Sequence, residues 1–258
     1  MACKWCHNPE SLKQQPQETF NPQKCIKCGR CDNSACNNNS ERASDNCPTG
    51  ARETIGYEIS VPELMKEIHK DQLFYEQSGG GVTFSGGEPF FQPEFLLEAL
   101  TICKKNYINT AIDTSGFCEK DVLFKAAETT NYFLYDLKFF DNTKHEKFCG
   151  VSNGIILKNL EHLAERKTKI LIRIPVIPGV NDDVKEMNGI FQFVKNMKNI
   201  EAVHLLPYHN IHGDKYKRLG MFYELCNENG LEVSGDESPN MAEIKGLFET
   251  KFRTKVGG

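Results

Sequence analysis

Seven cysteines within the first 47 residues have spacings suited to metal–thiolate chemistry. Cys3 and Cys6 form a C-x2-C pair around Trp5, followed by His7-Asn8-Pro9-Glu10-Ser11. Cys25, Cys28 and Cys31 form a C-x2-C-x2-C triplet; Cys36 follows, and Cys47 stands before Pro48. Thiolates at such spacings hold zinc or iron–sulfur clusters. A consecutive triplet closed by Cys-Pro favours a cube over zinc, whose ligands more often come as separate C-x2-C pairs. In two-cluster ferredoxins the fourth cysteine of each motif ligates the other cluster. A single surviving cluster would then use Cys25, Cys28, Cys31 and Cys47, with Cys36 as the alternative fourth ligand. A second set of residues is ionic: Glu88 in Gly86-Gly87-Glu88-Pro89, Asp113 before Thr114-Ser115-Gly116, Asp136, Lys138, Arg173 and His209. Carboxylates suit a hard cation, and a lysine offers a compact charge to an anion. The plainer readings are a zinc or buried pair for Cys3 and Cys6, an ion pair for Asp136 and Lys138, and a structural hydrogen bond for His209.

The elements that must position these groups alternate along the chain. Residues Leu12 to Asn21 lack periodicity and read as a linker. Val61-Pro62-Glu63 reads as a helix start, with Leu64, Ile68 and Leu73 on one face. Strands are expected at Val82–Phe84, Thr110–Asp113, Tyr132–Lys138, Ile170–Ile174, Ala202–Leu206 and Leu231–Val233. Helices are expected at Pro93–Lys105, Lys120–Thr129, Ile155–Arg166, Val184–Met197, Lys215–Asn229 and from about Asn240. Such alternation indicates βαβ units on a parallel sheet, where functional groups gather at the carboxyl ends of strands. The ionic residues all fall at such ends. The domain boundaries expected are 1–21 for a cluster loop and linker, 22–58 for a cysteine insert and 59–258 for the α/β domain.

The segment from Cys3 to Ser11, the GGEP element, Asp113-Thr114-Ser115-Gly116, Asp136-Leu137-Lys138, Arg173 with the Pro178-Gly179 loop, and Leu206-Pro207-Tyr208-His209 occur in an order that resembles the glycyl-radical-enzyme activases of the radical S-adenosylmethionine (SAM) family. The resemblance covers essentially the entire chain. It implies a partial (β/α)6 TIM-like barrel, here without its first strand, and a ferredoxin-like insert. It also implies a 4Fe-4S cluster held by three cysteines, whose open iron binds SAM for cleavage to a 5′-deoxyadenosyl radical. Cys3 and Cys6 match the last two ligands; the first would precede Met1, so either the sequence begins after it or two ligands serve. By the same resemblance Trp5 lies against the adenine, and Gly86, Gly87 and Glu88 meet the SAM amino group. Lys138 and Arg173 reach its carboxylate, and His209 meets the ribose or adenine. Asp113, Thr114 and Asp136 coordinate a monovalent cation in some activases. The catalytic assignment is Cys3, Cys6 and Lys138. The implied partners are a glycyl radical enzyme, whose backbone glycine loses a hydrogen, and a flavodoxin or ferredoxin electron donor. A radical SAM enzyme for a small molecule and an inactive Fe-S fragment are the alternatives.

Composition narrows the field. The 258 residues carry a formal net charge of -4, so no broad nucleic-acid footprint is expected. The N-terminus has no apolar signal core, and no apolar run reaches membrane-spanning length. Clustered cysteines without such a signal read as metal binding in a reducing cytoplasm. The scattered Cys103, Cys118, Cys149 and Cys226 read as small buried apolar residues.

Overall fold

The computed structural model describes residues 1–31, 43–210, 213–223, 225, 233 and 237–257. They fall into two units: Met1–Cys3, Ile59–His209 and Leu225–Gly258 form one, and Lys4–Glu58 with Asn210–Glu224 form the other.

The second, cysteine-rich unit is organised on an antiparallel ribbon of β1 (Gln17–Phe20) and β2 (Arg52–Ile55), in register from Gln17↔Ile55 to Phe20↔Arg52. Thr19 is buried and donates to Glu53 O, while the Arg52 guanidinium lies 5.0 Å from the centre of the Phe20 ring. The expected linker over Leu12–Asn21 is thus corrected: part of it is strand. Four residues are too short to show a period, and their partner lies more than thirty residues away. A short helix, Gly213–Arg218, also belongs to this unit. Lys215 in it bonds Asn8 Oδ1 at 2.7 Å and Glu10 at 2.9 Å, and Tyr216 donates to Cys6 O at 3.0 Å. The helix expected over Lys215–Asn229 ends early because Gly220 turns left-handed, with φ 64°; residues 224 and 226–229 lie outside those described.

The first unit begins with α1 (Val61–Lys70). Ser60 and Glu63 form a reciprocal capping box that satisfies the first free N–H groups. Val61, Met65 and Ile68 point inward. The chain breaks at Asp71 and restarts as α2 (Gln72–Ser78), which rotates Leu73 out to 71% exposure instead of onto the expected face. Thereafter β3 (Gly81–Phe84), α3 (Pro93–Lys105), β4 (Asn109–Thr114), α4 (Lys120–Ala127) and β5 (Tyr132–Asp136) alternate. They continue as α5 (Asn142–Cys149), α6 (Gly154–Ala164), β6 (Lys169–Val176), α7 (Val184–Val194) and β7 (Ile200–Pro207). The Gly213–Arg218 helix is α8, and α9 (Met241–Glu249) and β8 (Thr254–Val256) complete the order. Helix α5 carries no apolar stripe in its Asn-Thr-Lys-His-Glu-Lys run, so periodicity gave no sign of it. Residues 231 and 232 of the expected last strand lie outside those described; the edge strand is β8.

Strands β3 to β8 form a six-stranded sheet in chain order, every neighbouring pair parallel. Burial alternates along β6, where Ile170, Ile172, Ile174 and Val176 are buried and Leu171, Arg173 and Pro175 are half-exposed. The buried set packs with Phe133, Tyr135, Val203 and Leu205 against α3, α4, α6, α7 and α9 in one core. The other face carries charge, because Asp136, Arg173 and His204 are register partners across β5, β6 and β7. A parallel sheet covered on both faces reads as continuous apolar runs; here the face opposite the helices mixes Leu134, Leu171 and Pro175 with these charged residues. No described helix is long and apolar enough to cross a membrane.

Candidate active site

Each strand on the charged face ends in a loop whose side chains bond to the next. Glu88, after β3, caps the single turn Pro89–Phe91 and accepts from Thr114 Oγ1 at 2.7 Å, Ser115 N at 3.0 Å and Ser115 Oγ at 2.5 Å. Gly86, just before it, takes φ 132°, which a side chain would resist. Gly87 beside it is exposed. At the end of β4, Gly116 turns left-handed, with φ 73°, and passes so near Tyr135 that a Cβ would sit 1.7 Å from its hydroxyl oxygen. Tyr135 is fully buried and spends that hydroxyl on Ile156 O at 2.7 Å. The Asn159 amide bonds Gly116 O at 2.9 Å and Cys118 O at 2.8 Å, which fixes the loop from α6.

Asp113, Asp136, Lys138 and Arg173 form one ion network. Arg173 reaches Asp136 through Nε at 2.9 Å and Nη2 at 2.8 Å, and the same Nη2 bonds Asp113. Lys138 Nζ lies 3.0 Å from the other Asp136 oxygen, and Ser85 Oγ donates to Asp113 at 3.1 Å. Burial pushes both carboxyls up. At Asp136 Lys138 and Arg173 together outweigh it and hold the group below the usual carboxylate range. At Asp113 Arg173 offsets burial only in part, so that carboxyl stays raised. Burial would lower the Lys138 ammonium, but the charge of Asp136 wins and raises it. The backbone beneath is fixed by a buried amide: Asn181 donates to Lys138 O at 3.0 Å and Pro175 O at 2.6 Å, and accepts from Ile177 N at 2.8 Å. Glu186 accepts from Phe140 N and Asp141 N, and Asn153 donates to Phe139 O and Phe140 O. His209 is exposed beyond the end of β7, next to buried Tyr208, whose N–H bonds Val176 O at 3.2 Å.

Cys3 belongs to this unit, and Ala2 N beside it donates to the backbone oxygen of the buried Cys149 at 3.2 Å. The neighbouring Cys149 thiol, aided by Lys138, brings the Cys3 thiol down to about 7 against the upward push of burial. Of the cysteines expected to be buried, Cys103 and Cys149 are so, Cys118 is half-buried, and Cys226 lies outside the described residues. Cys6 and the buried Trp5 belong to the cysteine-rich unit. There Cys25, Cys28, Cys31 and Cys47 all line one pocket of about 220 Å³. Lys27 N and Arg52 N each point at a thiol, Cys25 and Cys47 respectively, both at 3.4 Å. The Arg52 contact is foremost in bringing the Cys47 thiol down to about 7. Cys36 lies outside the described residues.

The Radical SAM superfamily profile matches residues 1–188. The trans-4-hydroxy-L-proline dehydratase activating enzyme of Clostridioides difficile is 42% identical over all of this chain and 90% of its own length. The choline trimethylamine-lyase activating enzyme of Oleidesulfovibrio alaskensis is 36% identical, over 87% of this chain and 80% of its own. The crystal structure of a domain of pyruvate-formate lyase-activating enzyme from Bacteroides vulgatus superposes with a TM-score of 0.57 at 32% identity, over 69% of this chain and 99% of that one. The chain belongs to the radical SAM activating enzymes of glycyl radical enzymes.

As an activase it shows where sequence reading was incomplete. Asp113 near the end of β4, Asp136 and Lys138 at the end of β5 and Arg173 within β6 do converge, on one sheet face. The supports Asn153, Asn159, Asn181 and Glu186 went unnoticed. Asn181 lies two residues beyond Pro178-Gly179, and its signal was an amide directly after the apolar Val180. Among the described residues no three His, Cys, Asp or Glu side chains cluster tightly enough for a single metal ion.

Proposed function

We propose that this activase uses SAM and a reduced 4Fe-4S cluster to remove a hydrogen from a backbone glycine of a partner glycyl radical enzyme, drawing electrons from a flavodoxin or ferredoxin in the cytoplasm. The observation that carries the reading is the convergence of Asp113, Asp136, Lys138 and Arg173 on the sheet face opposite the helix-packed core. Once bound through Cys3, Cys6 and a further thiolate, the cluster supplies the electron that cleaves SAM. The donor set suits that group: thiolates, one of them already near neutral pKa, with an incomplete ligand count that leaves an iron open.

The protein's own residues bind and orient. Lys138 gives Asp136 one of its three N–H donors, which leaves the ammonium able to meet the SAM carboxylate beside Arg173. Glu88 and the carbonyls around Gly86 and Gly87 take the amino group, and His209 the ribose or adenine. Arg173 already bridges the two aspartates, so a monovalent cation would share their oxygens with it. Six parallel strands in chain order under one helix layer support a partial barrel. SAM and a cation account for these groups, which leaves few to orient a small substrate, and such a substrate needs an enclosed pocket with further convergent polar groups.

In the insert we assign a second 4Fe-4S cluster to Cys25, Cys28, Cys31 and Cys47. Zinc at about 2.3 Å from each sulfur would draw four thiols within about 3.8 Å of one another; a cube spreads them over four irons. The four cysteines share one pocket, and the consecutive triplet closed by Cys-Pro favours the cube. Replacing Cys47 with Ala should then lose iron and sulfide from the insert, and Cys36→Ala should keep both; the reverse pattern refutes the assignment. For the activity, the reduced protein is mixed with SAM and a co-encoded glycyl radical enzyme. A doublet radical signal on the partner, lost when the receiving glycine becomes alanine, supports the reading. Deuterium transfer into a small metabolite without a partner overturns it.

A further inference from the structure

Every charge in residues 22–31 is positive: Lys24, Lys27 and Arg30 alternate there with Cys25, Cys28 and Cys31. The thiols have a role in the proposed insert cluster; the cations have none. All three cations are exposed, and so is Ile26 among them, with 66% of its surface open. Lys24 bonds Glu53 at 3.0 Å, whereas Lys27 and Arg30 make no ion pair among the described residues. Of the four thiols around the pocket only Cys28, which lies between those two cations in sequence, is exposed; Cys25, Cys31 and Cys47 are half-buried. Lys27 also takes φ 54°, a left-handed backbone that glycine adopts more readily than lysine, as Gly29 does two residues later at φ 69°. Its N–H points at Cys25 Sγ at 3.4 Å, a contact that any residue but proline would supply. The conformation of the loop therefore explains the backbone at Lys27 and not its ammonium group.

We propose that Lys27, Arg30 and Ile26 form the docking surface for an acidic electron-donor protein, which passes its electron to the insert cluster at the exposed Cys28. The inference rests on the cluster assigned to Cys25, Cys28, Cys31 and Cys47. One electron leaves the reduced donor, which is oxidised, and is gained by the cluster, which is reduced; no covalent bond forms or breaks and no proton moves. The occupant is a redox protein because the cations surround a redox site, and it is acidic because they carry charge that the fold leaves unpaired. With a formal net charge of -4 the chain as a whole repels an acidic protein, so its approach is confined to a local cationic patch such as this one. Complementary charge steers such encounters, and transient redox contacts need little area, under about 1,200 Å² in total.

The probe is a purified flavodoxin of net negative charge. Binding of its oxidised form to the iron-loaded protein is measured by calorimetry, and electron transfer from its reduced form by stopped-flow absorbance. For the unaltered protein Kd should rise about tenfold between about 20 and 200 mM salt, as screening weakens the attraction. A flat salt dependence would overturn the proposal before any variant is made. Lys27→Glu with Arg30→Glu should weaken binding at low salt about tenfold or more and flatten the salt dependence, and Lys27→Gln with Arg30→Gln should fall between. Both variants should keep their iron and sulfide, and photoreduced deazariboflavin, a small uncharged reductant, should reduce them as fast as the unaltered protein. Slower reduction by flavodoxin and deazariboflavin alike, at unaltered affinity, would overturn the proposal and make the cations compensators of the cluster's own charge. Unaltered flavodoxin binding with weakened binding of the co-encoded glycyl radical enzyme would also overturn it, by giving this face to that enzyme. The cluster is checked separately through Cys28→Ala: an unaltered iron and sulfide content would refute that reading, whatever the binding series shows.

Discussion

Arg173 is held between two carboxylates on neighbouring strands of a six-stranded sheet, whereas Cys25, Cys28 and Cys31 lie on a loop braced by a two-stranded ribbon. The ion network inherits its geometry from strand register, with Asp136 opposite Arg173. The thiol pocket inherits little, since an isolated two-stranded hairpin is marginal in water. Among its described residues the cysteine-rich unit buries few apolar side chains, Trp5, Ala51 and Tyr216 among them, while the sheet unit has a continuous core across five helices. One site is therefore organised by the fold itself; the cluster proposed for the other would add order to a unit with little core of its own.

The largest effect should follow from that dependence. Ligand binding to small metal domains is coupled to roughly 10 kcal/mol or more of folding free energy. Chelating the insert cluster should collapse amide protection at Gln17–Phe20 and Arg52–Ile55 and leave β4 to β7 protected, as read by hydrogen exchange. Uniform loss over both units, or none in the ribbon, would erase the distinction.

On the sheet side the sharpest break is Gly116→Ala. The new Cβ meets Tyr135 Oη at 1.7 Å and the ring carbon behind it at 2.1 Å, in a left-handed backbone. Overpacking and the left-handed conformation together should cost about 3 kcal/mol or more. Tyr135→Phe should not rescue it, because the ring itself is in the way; a rescue seen by denaturant unfolding would mean the loop yields.

These two regions were also unequally legible in the sequence. Strand runs such as Ile170–Ile174 show their burial directly, and Glu88, Asp113, Asp136 and Arg173 stand out because charge at the end of an apolar run needs a reason. The pairing of Gln17–Phe20 with Arg52–Ile55 left no period to read, since both strands are four residues long and distant in sequence. Helix α5 was invisible because only His145, Phe148 and Cys149 are buried in it. The amides that brace the loops bond to backbone groups across the fold, and such partners leave no spacing rule.

Asn181 measures how much that bracing matters. Asn181→Ala strips partners from two carbonyls and one N–H around a fully buried side chain. The loss should be about 2 kcal/mol, or roughly 4–8 °C in Tm. Because Lys138 O is one of those carbonyls, KM for SAM should rise more than kcat falls. An unchanged KM with a lowered Tm would confine Asn181 to stability.

The smallest effect separates the two regions by pH. His145 is buried on α5, its Nδ1 lies 2.6 Å from Val151 O, and its ring meets Phe139 edge-on at 6.3 Å. Burial lowers its pKa, the charge of Lys138 adds to this, and the Val151 contact and Glu146 oppose it without reversing it. The folded pKa thus lies below the unfolded value of 6.5. As pH falls, the unfolded chain takes up the proton first. The stability from neutral His145 is complete above 6.5 and is lost as pH drops toward the folded pKa. The maximum slope is about 1.4 kcal/mol per pH unit, and the expected loss between about pH 7.5 and 5.5 is about 1 kcal/mol. His145→Gln should unfold with a flatter pH dependence over that range when followed by a probe on the sheet. Hydrogen exchange in the β1–β2 ribbon, which holds no histidine, should show no matching difference between the two proteins. Equal slopes in the sheet would mean His145 does not titrate differently on folding.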